Sequence, residues 1–290
     1  MTSSNIVGKK TYLKCLLSKP LAYEEFLPGF WDQCSEPPRV IYVTSLPRSG
    51  STVTKRFLGD HPSISLTGMS PSHNWWDAWC RQRLVSWFNK VVLDKRTLYI
   101  HHLETILSTF GRHVKILLVI RDPRDELASL MDFDRHQSVP RDESFYDYWL
   151  KTYRRALNVL TDQATKNDSK LLRYEDLAQH PEVIKSYFLK WIGLRETNTN
   201  NYYRTACPSI ARSSSPNEDR KTHQQSTITD TSVGRWRDVS SLRRDIIDTY
   251  SRKQPLLRSL RKLDYLPQED RQTEPNLFDP EAVIDGFNQD

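Results

Sequence analysis

Apolar positions along the chain gather into short compact runs separated by longer stretches of helical spacing. Val40-Ile41-Tyr42-Val43, Val91-Val92-Leu93, Ile116 to Ile120 and Lys170 to Tyr174 are brief, largely aliphatic and read as strands. A helix is expected directly after the first of them. Asn74 to Asn89 has helix length and an aromatic face made by Trp75, Trp76, Trp79, Trp87 and Phe88. Leu103 to Phe110, Phe145 to Leu160 and Pro181 to Trp191 are further helices, with Gly111 and Gly193 as stops. After Ile120, Asp122 suits an N-cap and Pro123 the first helical position. Strands that alternate with helices imply an α/β fold: one domain with a central parallel sheet flanked by helices on both faces.

The same patterning sets the boundaries. Residues 1–38 read as a short amphipathic lead-in closed by Pro37-Pro38, residues 39–266 as the domain and residues 267–290 as a polar tail. Within the domain, 208–232 is polar and reads as a mobile loop, followed by a basic helix over 240–264. There is no internal repeat.

Composition narrows the function classes. The chain has 290 residues, 37% hydrophobic, 11% aromatic and 27% charged, which supports a real core. Lys+Arg 42 against Asp+Glu 36 gives +6, a modest excess that suits an anionic ligand. No Lys/Arg tract is interleaved with aromatics, so nucleic acid is not the expected partner. Cys15, Cys34, Cys80 and Cys207 form no C-x-x-C and suggest reduced thiols rather than a zinc site or disulfide framework. Lys14 and Lys19 break the early apolar residues, and Lys115 interrupts the strongest apolar run. A soluble, cytoplasmic protein without a membrane partner is therefore expected, with monomer and homodimer both open.

The candidate chemistry sits in "YVTSLPRSGSTVTKRFL", residues 42–58. A strand, a tight loop and a helix N-terminus in that order aim backbone N–H groups at one point. Gly50 permits the turn, Ser49, Ser51 and Thr52 offer hydroxyls, and Arg48 adds a planar charged fork. The loop reads as an oxyanion site, although an ordinary turn capped by Ser51 has the same appearance. It is not a nucleotide-kinase loop of the G-x-x-x-x-G-K-[ST] kind, because Ser51 stands where the Lys would be. A second element, "RDPRDELAS", brings Arg121 to the same sheet edge with Ser129 eight residues on, two helical turns away. Together these two could grip another phosphate.

These stretches resemble the sulfotransferases that use 3′-phosphoadenosine-5′-phosphosulfate (PAPS). The first loop is nearer the bacterial "PRSGST" form than the animal "PKSGTTW" form. The resemblance implies a P-loop-like sulfotransferase architecture in which Arg48 to Thr52 hold the 5′-phosphosulfate, while Arg121 and Ser129 hold the 3′-phosphate. "LLRYEDLAQHPEVIKSYFLKWIGL" (171–194) and "SVGRWRDVS" (232–240) match as well. They imply that Tyr174 lies beside the nucleotide and that Gly234, Arg235, Trp236 and Arg237 cover the 3′-phosphate. Where the animal enzymes carry an adenine-stacking Trp, this chain has Val53.

Sulfuryl transfer needs cationic stabilisation of the leaving phosphate and a base for the acceptor's proton, but no metal. In the cytosolic branch the base is a His two residues after a Lys; aligned on Lys95, that position is Thr97. The heparan-type branch uses a Glu before the Lys, which here makes Asp94 the first choice and Lys95 a stabiliser of the transferring group. His101 and His102 are the rivals. Trp75, Trp76, Trp79, Tyr146, Tyr148 and Trp149, with Asp77, Asp134 or Glu143 nearby, suit a pocket for a flat or cationic small molecule, with about half of these aromatics expected in the core instead. The expected activity is transfer from PAPS to a hydroxyl or amine of a small metabolite, releasing 3′,5′-adenosine diphosphate (PAP). The alternatives are a P-loop-like nucleotide kinase and a non-catalytic PAP-binding relative.

Overall fold

The computed structural model describes residues 39–66, 91–95, 97–110, 114–131, 139–142, 144–161, 169–195, 233–238, 244–245 and 247–248. The lead-in 1–38, the Asn74–Asn89 helix, the loop 208–232 and the tail 267–290 lie outside them. So do all four cysteines, Gly111 and most of the basic helix.

Among the described residues, five strands form one parallel sheet: β1 (Arg39–Thr44), β2 (Ile64–Leu66), β3 (Val91–Lys95), β4 (Val114–Ile120) and β5 (Ser169–Arg173). Their order is β2-β3-β1-β4-β5, with β1 at the centre. The helices are α1 (Ser51–Leu58), α2 (Leu103–Phe110), α3 (Pro123–Met131), α4 (Ser144–Leu160), α5 (Tyr174–Gln179) and α6 (Pro181–Ile192). Short 3-10 turns lie at Thr97–His101 and Arg235–Asp238. Among the described residues, no helix is long and apolar enough to cross a membrane.

The strands are apolar on both faces because both faces are covered. Val40 and Tyr42 of β1, with Ile116, Leu118 and Ile120 of β4, pack under α2, α3 and α4. Ile41 and Val43, with Leu117 and Val119, pack under α1, α5 and α6. The period of two along each strand thus divides one run of apolar residues between two cores.

Local chemistry sets several element ends where the sequence places them. Asp122 Oδ1 accepts the Arg124 N–H at 2.9 Å, capping α3 as expected, with Pro123 as its first residue. Gly193 ends α6 with φ of 72°. Two expectations need correction. The three-residue β2 is an additional strand, and Tyr174 opens α5 rather than closing β5.

Connections from β1 run toward β3 and β2, whereas those from β4 run toward β5. The strand order therefore reverses between β1 and β4, and such reversals leave a crevice beyond the carboxyl ends of the strands. The loops after β1 and β4 flank that crevice.

Candidate anion site at the reversal of the sheet

The loop from Ser45 to Gly50 carries β1 into α1. Gly50 is the N-cap with φ of 84°, and no side chain caps the helix. The turn capped by Ser51 is thus not what the structure contains, and the first N–H groups of α1 lack the usual side-chain acceptor. A helix N-terminus in that state has positive potential and donors ready for an anion. Gly50 is required twice over: a Cβ there would lie 2.2 Å and 2.4 Å from Tyr174 ring carbons.

Arg48 also has positive φ, 74°, among the described residues the only non-glycine to do so. A left-handed conformation costs such a residue about 1–2 kcal/mol, so other contacts must hold it. Its Nε donates to Ser129 Oγ at 2.8 Å, and its carbonyl accepts from Arg121 Nη1 at 3.1 Å. The two motifs, far apart in the chain, therefore form one hydrogen-bonded unit rather than two separate cradles.

Arg121 is buried at the end of β4. Its guanidinium lies 4.9 Å from the centre of the Tyr174 ring and 3.8 Å from Asp125 Oδ2. The Asp125 carboxylate accepts the Gly234 N–H at 2.8 Å and the Trp236 N–H at 2.9 Å. Trp236 stacks under the Arg124 guanidinium at 4.5 Å, and Arg237 approaches it at 5.3 Å. Gly234, Trp236 and Arg237 are thereby tied to the start of α3, with Arg235 exposed on the same turn.

The hydroxyls are arranged differently from the expectation. Ser49 is fully buried: its Oγ bonds to Leu46 O at 2.8 Å and to Glu126 Oε1, and lies 3.1 Å from Tyr153 OH. It supports the loop from within and is not placed to face an anion with its side chain. Ser51 is also buried, with its Oγ 2.8 Å from Ser45 Oγ. Thr52 and Val53 are half-buried.

Sequence reasoning missed the acids beneath this site. Burial pushes Glu126 well above the usual carboxyl range, against the Ser49 hydrogen bond and the Arg121 charge. Glu175 accepts the Asp122 N–H at 3.0 Å, joining the β4 and β5 ends, and burial raises it to about 7. Asp125 is also raised, again chiefly by burial. A polar residue on the buried side of α3, beside Leu127 and Leu130, was the available signal for Glu126.

The candidate bases lie near the end of β3 and on or just after the 3-10 turn that follows it. Asp94 is fully buried in β3, level with Tyr42, and its Oδ1 accepts the Lys95 N–H at 2.9 Å. Lys95 ends the strand half-buried beside Val43. His101 closes the following 3-10 turn, half-buried, with Nε2 3.1 Å from Tyr148 OH. Burial lowers its pKa, and the His102 and Arg155 charges lower it further. His102 is exposed.

Of the aromatics expected to line an acceptor pocket, Tyr146 and Trp149 belong instead to the core, both fully buried. Tyr146 OH donates to Ile247 O at 3.4 Å. Their spacing with Tyr153, Ala156, Leu157 and Leu160 along α4 is that of a buried helical stripe. Tyr148 stands outside it, against His101. Trp75, Trp76, Trp79, Asp77, Asp134 and Glu143 lie outside the described residues. Among the described residues, no group of three or more His, Cys, Asp or Glu is arranged to hold a metal.

Residues 38–251 match the sulfotransferase domain family. No curated protein matches the chain. The sulfotransferase domain of the Synechococcus PCC 7002 olefin synthase is 16% identical, with a TM-score of 0.51 over 77% of this chain and 98% of that one. The sulfotransferase domain from the curacin biosynthetic pathway is 16% identical, with a TM-score of 0.48 over 76% of this chain and 99% of the other. A mouse sulfotransferase complexed with PAP is 13% identical, with a TM-score of 0.47 over 82% and 92% of the two chains. A family match spanning most of the chain, on a central parallel sheet flanked by helices, identifies this protein as a member of the sulfotransferase family.

Proposed function

We propose that the protein moves a sulfuryl group from PAPS to a hydroxyl or amine of a small-molecule acceptor and releases PAP. One observation carries this reading: the uncapped N-terminus of α1 and the Arg48–Ser129–Arg121 unit share one crevice. That arrangement offers two sets of anion contacts, as a nucleotide phosphorylated at both its 3′ and 5′ positions requires.

PAPS supplies an activated sulfuryl group on a phosphate leaving group. Arg48 and the first N–H groups of α1 stabilise the charge that grows on that phosphate, and they need no reorganisation to do so. Arg121, Ser129 and the Gly234–Arg237 turn hold the 3′-phosphate. Tyr174, packed between Gly50 and Arg121, keeps the two sets of contacts at a fixed separation. Lys95 steadies the transferring group from the end of β3.

His101 takes the acceptor's proton, in preference to Asp94. Asp94 is fully buried, whereas His101 is half-buried, with its ring held by Tyr148. A histidine whose pKa is lowered is neutral at pH 7 and ready to accept.

Calorimetric titration with PAP and with ADP tests the nucleotide, and transfer of labelled sulfate from PAPS into a metabolite extract tests the reaction. Binding indifferent to the 3′-phosphate would replace this reading with a kinase. PAP binding without transfer to any acceptor would indicate the non-catalytic relative.

A further inference from the structure

Beneath the anion loop lies a buried network that the transfer itself does not use. Glu126, on α3, is fully buried, with Oε1 bonded to Ser49 Oγ and Oε2 without a hydrogen-bond partner. Tyr153, on α4, is equally buried, 3.4 Å from Glu126 Oε1. Its hydroxyl accepts the Leu46 N–H at 3.3 Å and donates to Val119 O at 3.0 Å. The proton inventory closes with Glu126 in its acid form. The acid then donates to Ser49, and Ser49 donates to Leu46 O at 2.8 Å. Burial favours that form.

The network grips the loop at two points, the Leu46 N–H and the Ser49 hydroxyl. Only Pro47 and Arg48 lie between them, and the proline ring fixes its own φ. The remaining freedom falls on Arg48, which takes the left-handed conformation at 74° and sends its guanidinium to Ser129.

We propose that Glu126 and Tyr153 are positioning residues for Arg48: by fixing Leu46 and Ser49 from below, they impose the turn that lays its guanidinium across Ser129. The proposal rests on the reading of this loop as the donor site. Neither residue needs to touch substrate. Both act through the backbone of one arginine.

The experiment compares Glu126→Ala, Tyr153→Phe and Glu126→Gln in the full chain by calorimetry with PAP, after thermal melts by circular dichroism. Glu126→Ala and Tyr153→Phe should each weaken PAP by about tenfold, one buried hydrogen bond's worth. Glu126→Gln, which keeps the shape and a donor for Ser49, should restore most of that loss. The decisive arm repeats the first two changes in an Arg48→Ala background, where their effect on PAP should vanish. Persistence at full size there would overturn the proposal, since the residues would then act by general support. If Glu126→Ala does not fold, Tyr153→Phe carries the same comparison. Should the wild-type protein not bind PAP, the donor reading fails by itself. The Arg48 Nε–H resonance in a nitrogen-15 spectrum then decides: protected in the wild type and lost in Tyr153→Phe supports the proposal, and no change refutes it.

Discussion

Replacing Glu175 by Gln tests whether the acids beneath the anion site are held in their neutral form. The carboxyl is fully buried; one oxygen accepts the Asp122 N–H at 3.0 Å and the other has no partner. Burial raises its pKa from an ordinary 4.5 to about 7, with the Asp122 charge adding to the rise and Arg121 opposing it. Moving an acid by that much corresponds to about 3 kcal/mol. Below pH 4.5 both folded and unfolded chains carry the proton, and the group leaves stability unchanged. Between pH 4.5 and 7 the unfolded chain releases it first, so stability falls; above pH 7 the whole of that amount has been lost. Gln cannot ionise and escapes this loss. The difference between variant and wild type in urea unfolding should therefore move by about 3 kcal/mol toward the variant between pH 4.5 and 8. Any fixed cost of burying the Gln amide does not vary with pH and so cancels in that movement. A difference that stays flat with pH would show that Glu175 titrates normally, and the account of the acids would fail with it.

Gly50→Ala forces a Cβ onto the Tyr174 ring and a left-handed turn onto alanine. It should lower Tm by a few degrees, the backbone alone losing about 1–2 kcal/mol, and should abolish detectable PAP binding. Arg121→Ala should weaken PAP by about ten- to a hundred-fold and ADP by less, since only PAP carries the 3′-phosphate while the lost bond to the Arg48 carbonyl affects both. Equal losses for the two nucleotides would place Arg121 elsewhere. His101→Ala should lower turnover by about a hundred-fold with PAP affinity intact. The wild-type rate should fall as acid protonates the imidazole, at a pH below its ordinary 6.5. Full activity in His101→Ala alongside an inactive Asp94→Asn would return the base to Asp94.

What could be read from the sequence was what depends on neighbours in the chain. The Asp122 cap, the Gly193 stop and the strand–loop–helix order around Gly50 all follow from local chemistry. β2 escaped because three residues are too few to show a period. The direction of the Ser49 hydroxyl was unreadable for another reason: its partners Glu126 and Tyr153 lie 77 and 104 residues away. The left-handed Arg48 belongs to the same class, since nothing local to an arginine announces positive φ. Tyr146 and Trp149 were legible in principle. Helical period along α4 assigns Trp149 to the stripe of Tyr153 and Leu157.

The proposed site for a doubly phosphorylated nucleotide, built over several carboxyl groups, presents an apparent contradiction. Asp125 lies 3.8 Å from the Arg121 guanidinium, and the Glu126 and Glu175 carboxyls are close enough for its charge to lower their pKa. Were all three ionised, they would more than neutralise the cation meant for the anion. Burial resolves it, because a desolvated carboxyl without a full set of donors keeps its proton. Glu126 is held well up and Glu175 near 7, so both serve chiefly as hydrogen-bonding groups that bind α3, β5 and the anion loop together. Asp125 differs from them in directing its oxygens to two backbone amides of the Gly234 turn, whose donors offset its charge. The acids thus give the crevice its shape while leaving much of the arginine charge for the ligand. A nucleotide whose binding draws further protons onto Glu175 would be the direct consequence, visible as proton uptake when PAP is titrated near pH 7 in buffers of different ionisation enthalpy.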